Sequence, residues 1–542
     1  MAMVTAMVMA MGIEDARQRR TARSYNSIAP RLISNGRSSP SLRGRPWICL
    51  ALAVAACGAH AQIHITESLA VRETYTNNVE LSASGAKQSD LVSEITPAVS
   101  VDYRSPRSSL QGSVSVPIVL YAKTTEHSQV YVSGSLAGTL EAIDKFLFID
   151  ASASASQQYL TPFGATPVGL VNATNNRYTS ITYRISPYIK GVTGGNIEYL
   201  LRYTSVWGNL SGAPIGVDSS RYTDTTGDLT SPVAPWGWAA HYQRLASYFT
   251  NQDAQIMQLA RGRLLYQATA ALRVSLSGGY ENNQFPFTDY SDVIYGVQAE
   301  WRPSERTQLL AGWEHRFFGP SYLFVFDHRT PQTVWNVNFS RNITTYTQQL
   351  GAFPAGGNVS KLLNDVLTTR IPDPAQRQAA VNQLIASQGL PQVLDAPVNL
   401  YTQQVLLQQG GGASAGFLGV NNTIFLAAFY VRTEPISGSG NALPPILEGG
   451  NNNTQRGVTL TWSHPISATM SFTAQAGIDK NSANVGPPLT TTAGHVTAGF
   501  NWILSPLTSV QFGARYQRQH GVEEQRDYSE AAVFAGFLHR FQ

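Results

Sequence analysis

Eleven charged side chains stand out in the sequence: Arg184, Arg202, Arg273, Glu281, Glu300, Glu314, Arg316, Asp327, Arg329, Arg515 and Glu530. They fall in segments where polar and apolar residues alternate, so each shares one face of a strand with other polar residues. Acids and bases of both signs on one such face can form cross-strand pairs. The tightest group by spacing is Glu300, Glu314, Arg316 and Arg329, which is expected to pair across neighbouring strands. Mixed sign argues against a strongly ion-selective ring and suits a hydrated path for a neutral or weakly charged polymer.

Catalysis would need a Ser or Asp beside an oriented His. Beyond residue 61 the histidines are His64, His127, His241, His315, His328, His464, His495, His520 and His539, scattered without a Ser-His-Asp grouping. Neither a P-loop nor a dinucleotide fingerprint occurs, and Gly410-Gly-Gly-Ala-Ser-Ala-Gly416 reads as a flexible turn. The sequence therefore predicts no enzyme, no metal and no cofactor.

Arg43 and Arg45 precede the apolar run Trp47–Ala56, followed by Ala59-His60-Ala61, which is the pattern of a secretory leader. The expected mature chain starts near Gln62. Val54-Ala55-Ala56-Cys57 also resembles a lipoprotein box, which would leave Cys57 lipidated. Residues 1–61 hold eight Arg and two acids, so the remainder has 30 basic and 32 acidic residues and a net charge of −2 in place of +4. The basic balance belongs to the leader and gives no support to nucleic-acid binding. Cys49 and Cys57 lie in the same segment, so the cleaved chain has no thiol for a disulfide or a zinc cluster.

The elements that must position the charges are long alternating segments. Ile197, Tyr199, Leu201 and Tyr203 alternate with Glu198 and Arg202; Leu272, Val274, Leu276 and Tyr280 alternate with Arg273, Ser275, Ser277 and Glu281. The last segment sets Ala531, Val533, Ala535, Phe537, His539 and Phe541 against Glu530, Gly536 and Arg540. Trp301, Trp462 and Trp502 each precede a short turn containing Pro303, Pro465 or Pro506, the depth of an interfacial aromatic girdle. These features predict an all-β fold: a transmembrane antiparallel outer-membrane β-barrel over residues 62–542, of about 20 strands, within 18–22. Trp236–Tyr248 is a further strand if it finds a partner to keep the count even, and 397–408 is the expected strand after the long insertion.

That insertion, 344–396, carries Val359–Leu367 and Pro374–Ile385, whose apolar residues recur every three or four positions as in short amphipathic helices. Connection lengths place its start on the outer side, from where it either caps the mouth or enters the lumen.

Gly279-Tyr280-Glu281, Glu300–Thr307, Glu314–Gly319 and His328-Arg329, with Val71–Asn78 and Ser89–Pro97, resemble the outer-membrane barrels associated with exosortase (PEP-CTERM) systems of Gram-negative bacteria. The resemblance implies a passive pore or envelope component of the cell outer membrane, linked to exopolysaccharide or exosortase-associated export. The barrel reading makes outer-membrane lipid and the barrel-assembly machinery the expected partners, the resemblance adds export-system components, and the charge balance predicts no nucleic acid. The competing readings are a structural or adhesive barrel and a lipid-modifying enzyme. A TonB-dependent transporter requires a plug, which only the helical insertion could supply.

Overall fold

The computed structural model describes residues 62–212, 219–249, 253–286, 288–351, 358–391, 394–399, 401–436, 451–485, 489–521 and 527–541. The leader, with its cleavage site and Cys57, lies outside the described residues. The chain runs through β1 (Gln62–Thr76), β2 (Asp90–Arg104), β3 (Ser108–Ser115), β4 (Ile118–Tyr121), β5 (Gln129–Val130), β6 (Ser133–Ile143), β7 (Leu147–Tyr159) and β8 (Arg177–Val192). It continues with β9 (Glu198–Ser211), β10 (Ser220–Thr230), β11 (Trp236–Phe249), β12 (Gln255–Gln267), β13 (Leu272–Phe285), β14 (Thr288–Ser304), β15 (Thr307–Arg316), β16 (Gly319–Arg329) and β17 (Thr333–Thr344). Three helices follow: α1 (Tyr346–Gly351), α2 (Val359–Leu367) and α3 (Pro374–Gln388). The chain closes with β18 (Leu406–Leu418), β19 (Thr423–Pro435), β20 (Asn453–Pro465), β21 (Met470–Ala483), β22 (Thr490–Ser505), β23 (Thr508–Gly521) and β24 (Tyr528–Phe541).

Each strand pairs antiparallel with its neighbours in one 24-stranded sheet, and β1 pairs with β24, so the sheet is closed. Both β3 and β4 pair with β2, and they pair onward with β6 and β5 respectively. Each couple is therefore one interrupted crossing of the wall, which makes this a 22-crossing barrel. Closure joins the first strand to the last and so removes the open sheet edge that lipid does not tolerate.

Two crossings exceed the expected 20. The segment Trp236–Tyr248 does form a strand, β11, and the partner that parity demanded is β10. The strand placed at 397–408 is in fact β18, which starts at Leu406. The glycine run 410–416 is not a turn: it lies inside β18, paired with β17 and β19.

Outward side chains form an apolar belt. Leu264, Leu276, Val297, Leu426, Val458, Leu460, Ile478, Val496 and Val533 are exposed on alternate positions of their strands. Trp236, Trp301, Trp335, Trp462 and Trp502 are exposed near one rim, and Tyr75, Tyr248 and Tyr322 near the opposite rim. A ring ladder Trp462–Phe472–Phe500–Phe512 runs along the short-turn rim with centroids 5.6, 5.2 and 5.2 Å apart. An aliphatic belt between two aromatic edges is the exterior of an outer-membrane barrel, and its short-turn rim is the periplasmic one.

Candidate functional site

The closed sheet encloses a lumen that runs through the wall, and the insertion occupies part of it. Asn358 caps α2 by accepting from the Lys361 N–H at 3.1 Å, and Asp373 caps α3 by accepting from the Gln376 N–H at 2.7 Å. Pro374 opens α3, and Gly389, with φ of 63°, ends it in the left-handed region that favours glycine. Val359, Leu362, Leu363, Val366 and Leu367 line one stripe of α2 and are buried with Val381, Leu390 and Leu394 against Val334, Leu418, Phe425 and Ala427. The last four are inward residues at the periplasmic ends of β17, β18 and β19. So the chain enters from the outer rim, descends inside the barrel and seats its helices near the periplasmic end. The two courses left open by the sequence, cap or lumen, resolve to the lumen.

Hydroxyls and amides of the wall hold the insertion by its backbone. Thr473 Oγ1 donates to the Gln388 carbonyl at 2.6 Å and Ser463 Oγ to the same carbonyl at 3.3 Å. Asn501 Nδ2 donates to the Ala386 and Ser387 carbonyls at 3.1 and 2.9 Å. Gln455 makes two bonds with the backbone of Val398, and Thr459 Oγ1 donates to Asp395 at 2.6 Å. Near the outer mouth, Tyr346 and Tyr401 from the two ends of the insertion pack with Tyr178 and Leu160, and the Tyr178 and Tyr346 hydroxyls meet at 2.5 Å.

A second segment, the 160–176 connection, also turns inward. Glu530 is fully buried and accepts from Arg515 at 2.7 Å, Thr76 at 2.8 Å, Gln517 at 3.1 Å and Asn172 at 3.3 Å. Arg515 also donates to the Val168 carbonyl at 2.7 Å, while the Pro162 carbonyl accepts from Asn481 at 3.3 Å and Thr491 at 3.2 Å. The outer mouth is thus narrowed from two sides.

The remaining wall, β7–β16, carries most of the charges read from the sequence. Arg316 donates from Nη2 to Glu281 at 2.6 Å, and the Phe317 N–H reaches the same carboxylate at 2.8 Å. Arg273 lies 3.9 Å from Glu300, whose other oxygen is held by Arg302. Arg202 stacks over Tyr188 at 3.9 Å and bonds Asp150 at 2.9 Å. Glu314 accepts twice from Arg261 at 2.7 Å. Asp327 accepts from Asn336 at 2.6 Å. Arg184 is exposed on the inner face of β8, and Arg329, on β16, lines a cleft under α2.

The expected group Glu300, Glu314, Arg316 and Arg329 does not pair within itself. On the ladder Glu314 lies opposite Gly296 and Glu300 opposite Leu310, which sets the two acids well apart along β14 and β15. Glu314 pairs with Arg261 on β12 and Arg316 with Glu281 on β13, while Glu300 is held by Arg302 of its own strand. Arg261, and Asp150 as the partner of Arg202, together with Asn172 and Gln517, are not singled out by the sequence pattern. Leu264 and Tyr266 facing outward were the signal that Arg261 and Arg263 face inward.

Among the described residues no group of three or more His, Cys, Asp or Glu is placed to hold a metal, and no helix is long and apolar enough to cross a membrane.

No family model and no curated protein matches the chain. Solved structures resemble it loosely. The FrpB iron transporter of Neisseria meningitidis is 9% identical with a TM-score of 0.46, over 88% of this chain and 81% of that one. The siderophore receptor PirA of Pseudomonas aeruginosa is 11% identical at 0.41, over 89% and 81%. OccAB2 of Acinetobacter baumannii is 8% identical at 0.31, over 88% and 98%.

Proposed function

We propose that this outer-membrane barrel is a passive hydrophilic pore whose lumen the 345–405 segment narrows, leaving the solute path along β7–β16. The observation that carries the reading is the seat of α2 and α3: their apolar stripe is buried against one side of the inner wall, while the opposite side stays charged and solvated. A barrel of this many strands without an insertion encloses a wide aqueous channel. Replacing residues 352–392 by a short Gly-Ser linker is expected to raise single-channel conductance in planar bilayers several-fold while heat-modifiable migration on gels persists. Unchanged conductance in a folded variant would sink the constriction. No current from either protein would favour a structural or adhesive barrel.

The resemblance of the 279–329 motifs to exosortase-associated barrels supports a role in envelope export, with a neutral or weakly charged polysaccharide as cargo and the barrel-assembly machinery as the inserting partner. Loss of surface polysaccharide on deletion of the gene, restored by the intact chain, tests that role; an unaltered surface would count against it.

A further inference from the structure

A cleft of about 480 Å³ lies between α2 and the periplasmic ends of β14–β17. Its carboxylates Asp327 and Asp365 are engaged, by Asn336 at 2.6 Å and Lys361 at 2.9 Å. The neighbouring Glu300, just outside the cleft, is held by Arg302. The guanidinium groups of Arg306 and Arg329, by contrast, make no hydrogen bond or ion pair among the described residues, and Arg329 Nε is buried without an acceptor. Glu305, exposed in the same turn as Arg306, is the one carboxylate there with no partner, and two free guanidiniums exceed it.

We infer that this cleft is an oxyanion-binding subsite at the periplasmic end of the lumen, with Arg306 and Arg329 as its donors. Guanidinium presents parallel N–H groups that match the spacing of carboxylate or phosphate oxygens, and such charge-assisted bonds are the strong ones. A buried Nε without an acceptor is costly until an anion arrives, so binding relieves an existing deficit. The ligand is a small oxyanion, either free in solution or the carboxylate of an acidic sugar in transit. The role in transit rests on the pore reading; the binding does not.

The test uses the intact folded protein in detergent micelles at low ionic strength, titrated calorimetrically with inorganic phosphate and, separately, with glucuronate. Wild type is expected to bind at least one, and Arg306→Gln with Arg329→Gln together to weaken it tenfold or more. Each single variant should weaken it in part, and Arg107→Gln, at another turn of the same rim, should leave it unchanged. Heat-modifiable migration reports folding, and Arg306→Gln in the exposed turn provides a variant that folds even if Arg329→Gln does not. Binding of phosphate alone identifies a free inorganic anion, and binding of glucuronate, with or without phosphate, a carboxylate on a solute. Absence of binding in wild type, or binding undiminished in the double variant, overturns the assignment. Binding without any current in bilayers would overturn the pore reading and leave the subsite standing.

Discussion

The inner faces of β17–β22 and of β7–β16 are built from different residues. Under the insertion the wall offers Gly410, Gly412, Ser414, Thr459, Thr461, Ser463, Ser471, Thr473 and Asn501, and no inward Arg or Lys occurs on these six strands. On the bare side Arg184, Lys190, Arg202, Arg261, Arg263 and Arg273 alternate with Asp150, Asp224, Asp228 and Glu314. A charge beneath packed helices would lose its water without a partner, and that penalty is several kcal/mol, whereas a hydroxyl needs only one backbone carbonyl. In these two regions polarity follows what covers the wall: under α2 and α3 the inward groups are neutral hydrogen-bonding ones apart from Asp479, the bare wall carries charge of both signs, and the charges that are covered, Glu281 with Arg316 and Glu530 with Arg515, are paired.

The sharpest way to break this contrast is to put a charge on the covered side. Ala427 is buried within the α2 cluster. Ala427→Asp leaves a short carboxylate with no cation in reach, at a cost on the order of 4 kcal/mol. The expected outcome is release of the insertion and conductance close to that of the linker variant. The same substitution at Leu323, exposed on β16 of the bare wall, should change stability by about 0.5 kcal/mol or less. Equal effects at the two sites in urea titrations would erase the distinction.

Next in size is the loss of a cation from the bare side. Arg316→Ala strands Glu281, which is fully buried and retains only the Phe317 N–H. About 3 kcal/mol of stability should be lost, the low end for a broken buried pair because one donor remains. A urea midpoint within error of wild type would show that the pair contributes nothing.

Close approach supplies a third test. A Cβ built on Gly477 would lie 2.4 Å from Asp395 Oδ2 of the insertion and from His495 Cε1. Both are ends of side chains that can swing away, so alanine is tolerable, but Gly477→Leu overfills the contact and should cost about 1–3 kcal/mol. Conductance noise from a loosened insertion is the expected signature; a quiet, unchanged channel would mean the insertion does not press on β21.

Much of this was readable from sequence and some was not, for physical reasons. The α2 and α3 helices showed through because apolar residues in Val359–Leu367 and Pro374–Ile385 recur every three or four positions; their caps, Asn358 and Asp373, are seen in the structure. The girdle showed through because Trp301, Trp462 and Trp502 each stand just before a short turn. Strand β10 was silent: its outward residues Arg221, Thr223, Thr225, Gly227 and Leu229 include one large aliphatic, so alternation has no amplitude. In β18 the inward positions Gly410, Gly412 and Gly416 look like a turn, and only the wall pairing on both sides shows them as strand. Ion-pair partners were out of reach because Arg261 and Glu314 are separated by β13 and β14, a relation set by register and lumen shape instead of local spacing.

The smallest expected effect bears on what holds the insertion to the neutral wall. The Gln388 carbonyl is buried near the C-terminus of α3 and accepts from both Thr473 and Ser463. Thr473→Val removes the shorter bond while keeping the shape, and Ser463 still satisfies the oxygen, so the loss should be about 0.5–1 kcal/mol. Adding Ser463→Ala leaves the carbonyl without a donor, and the penalty should then exceed the sum of the single changes, reaching roughly 1–3 kcal/mol. Since about 1.4 kcal/mol is a tenfold change in an equilibrium, the double variant should spend at least several times longer in a high-conductance state than wild type, and the single variant only slightly longer. Additive single effects would mean that water replaces the lost donors at this carbonyl, and the insertion would then be held chiefly by the apolar stripe of α2.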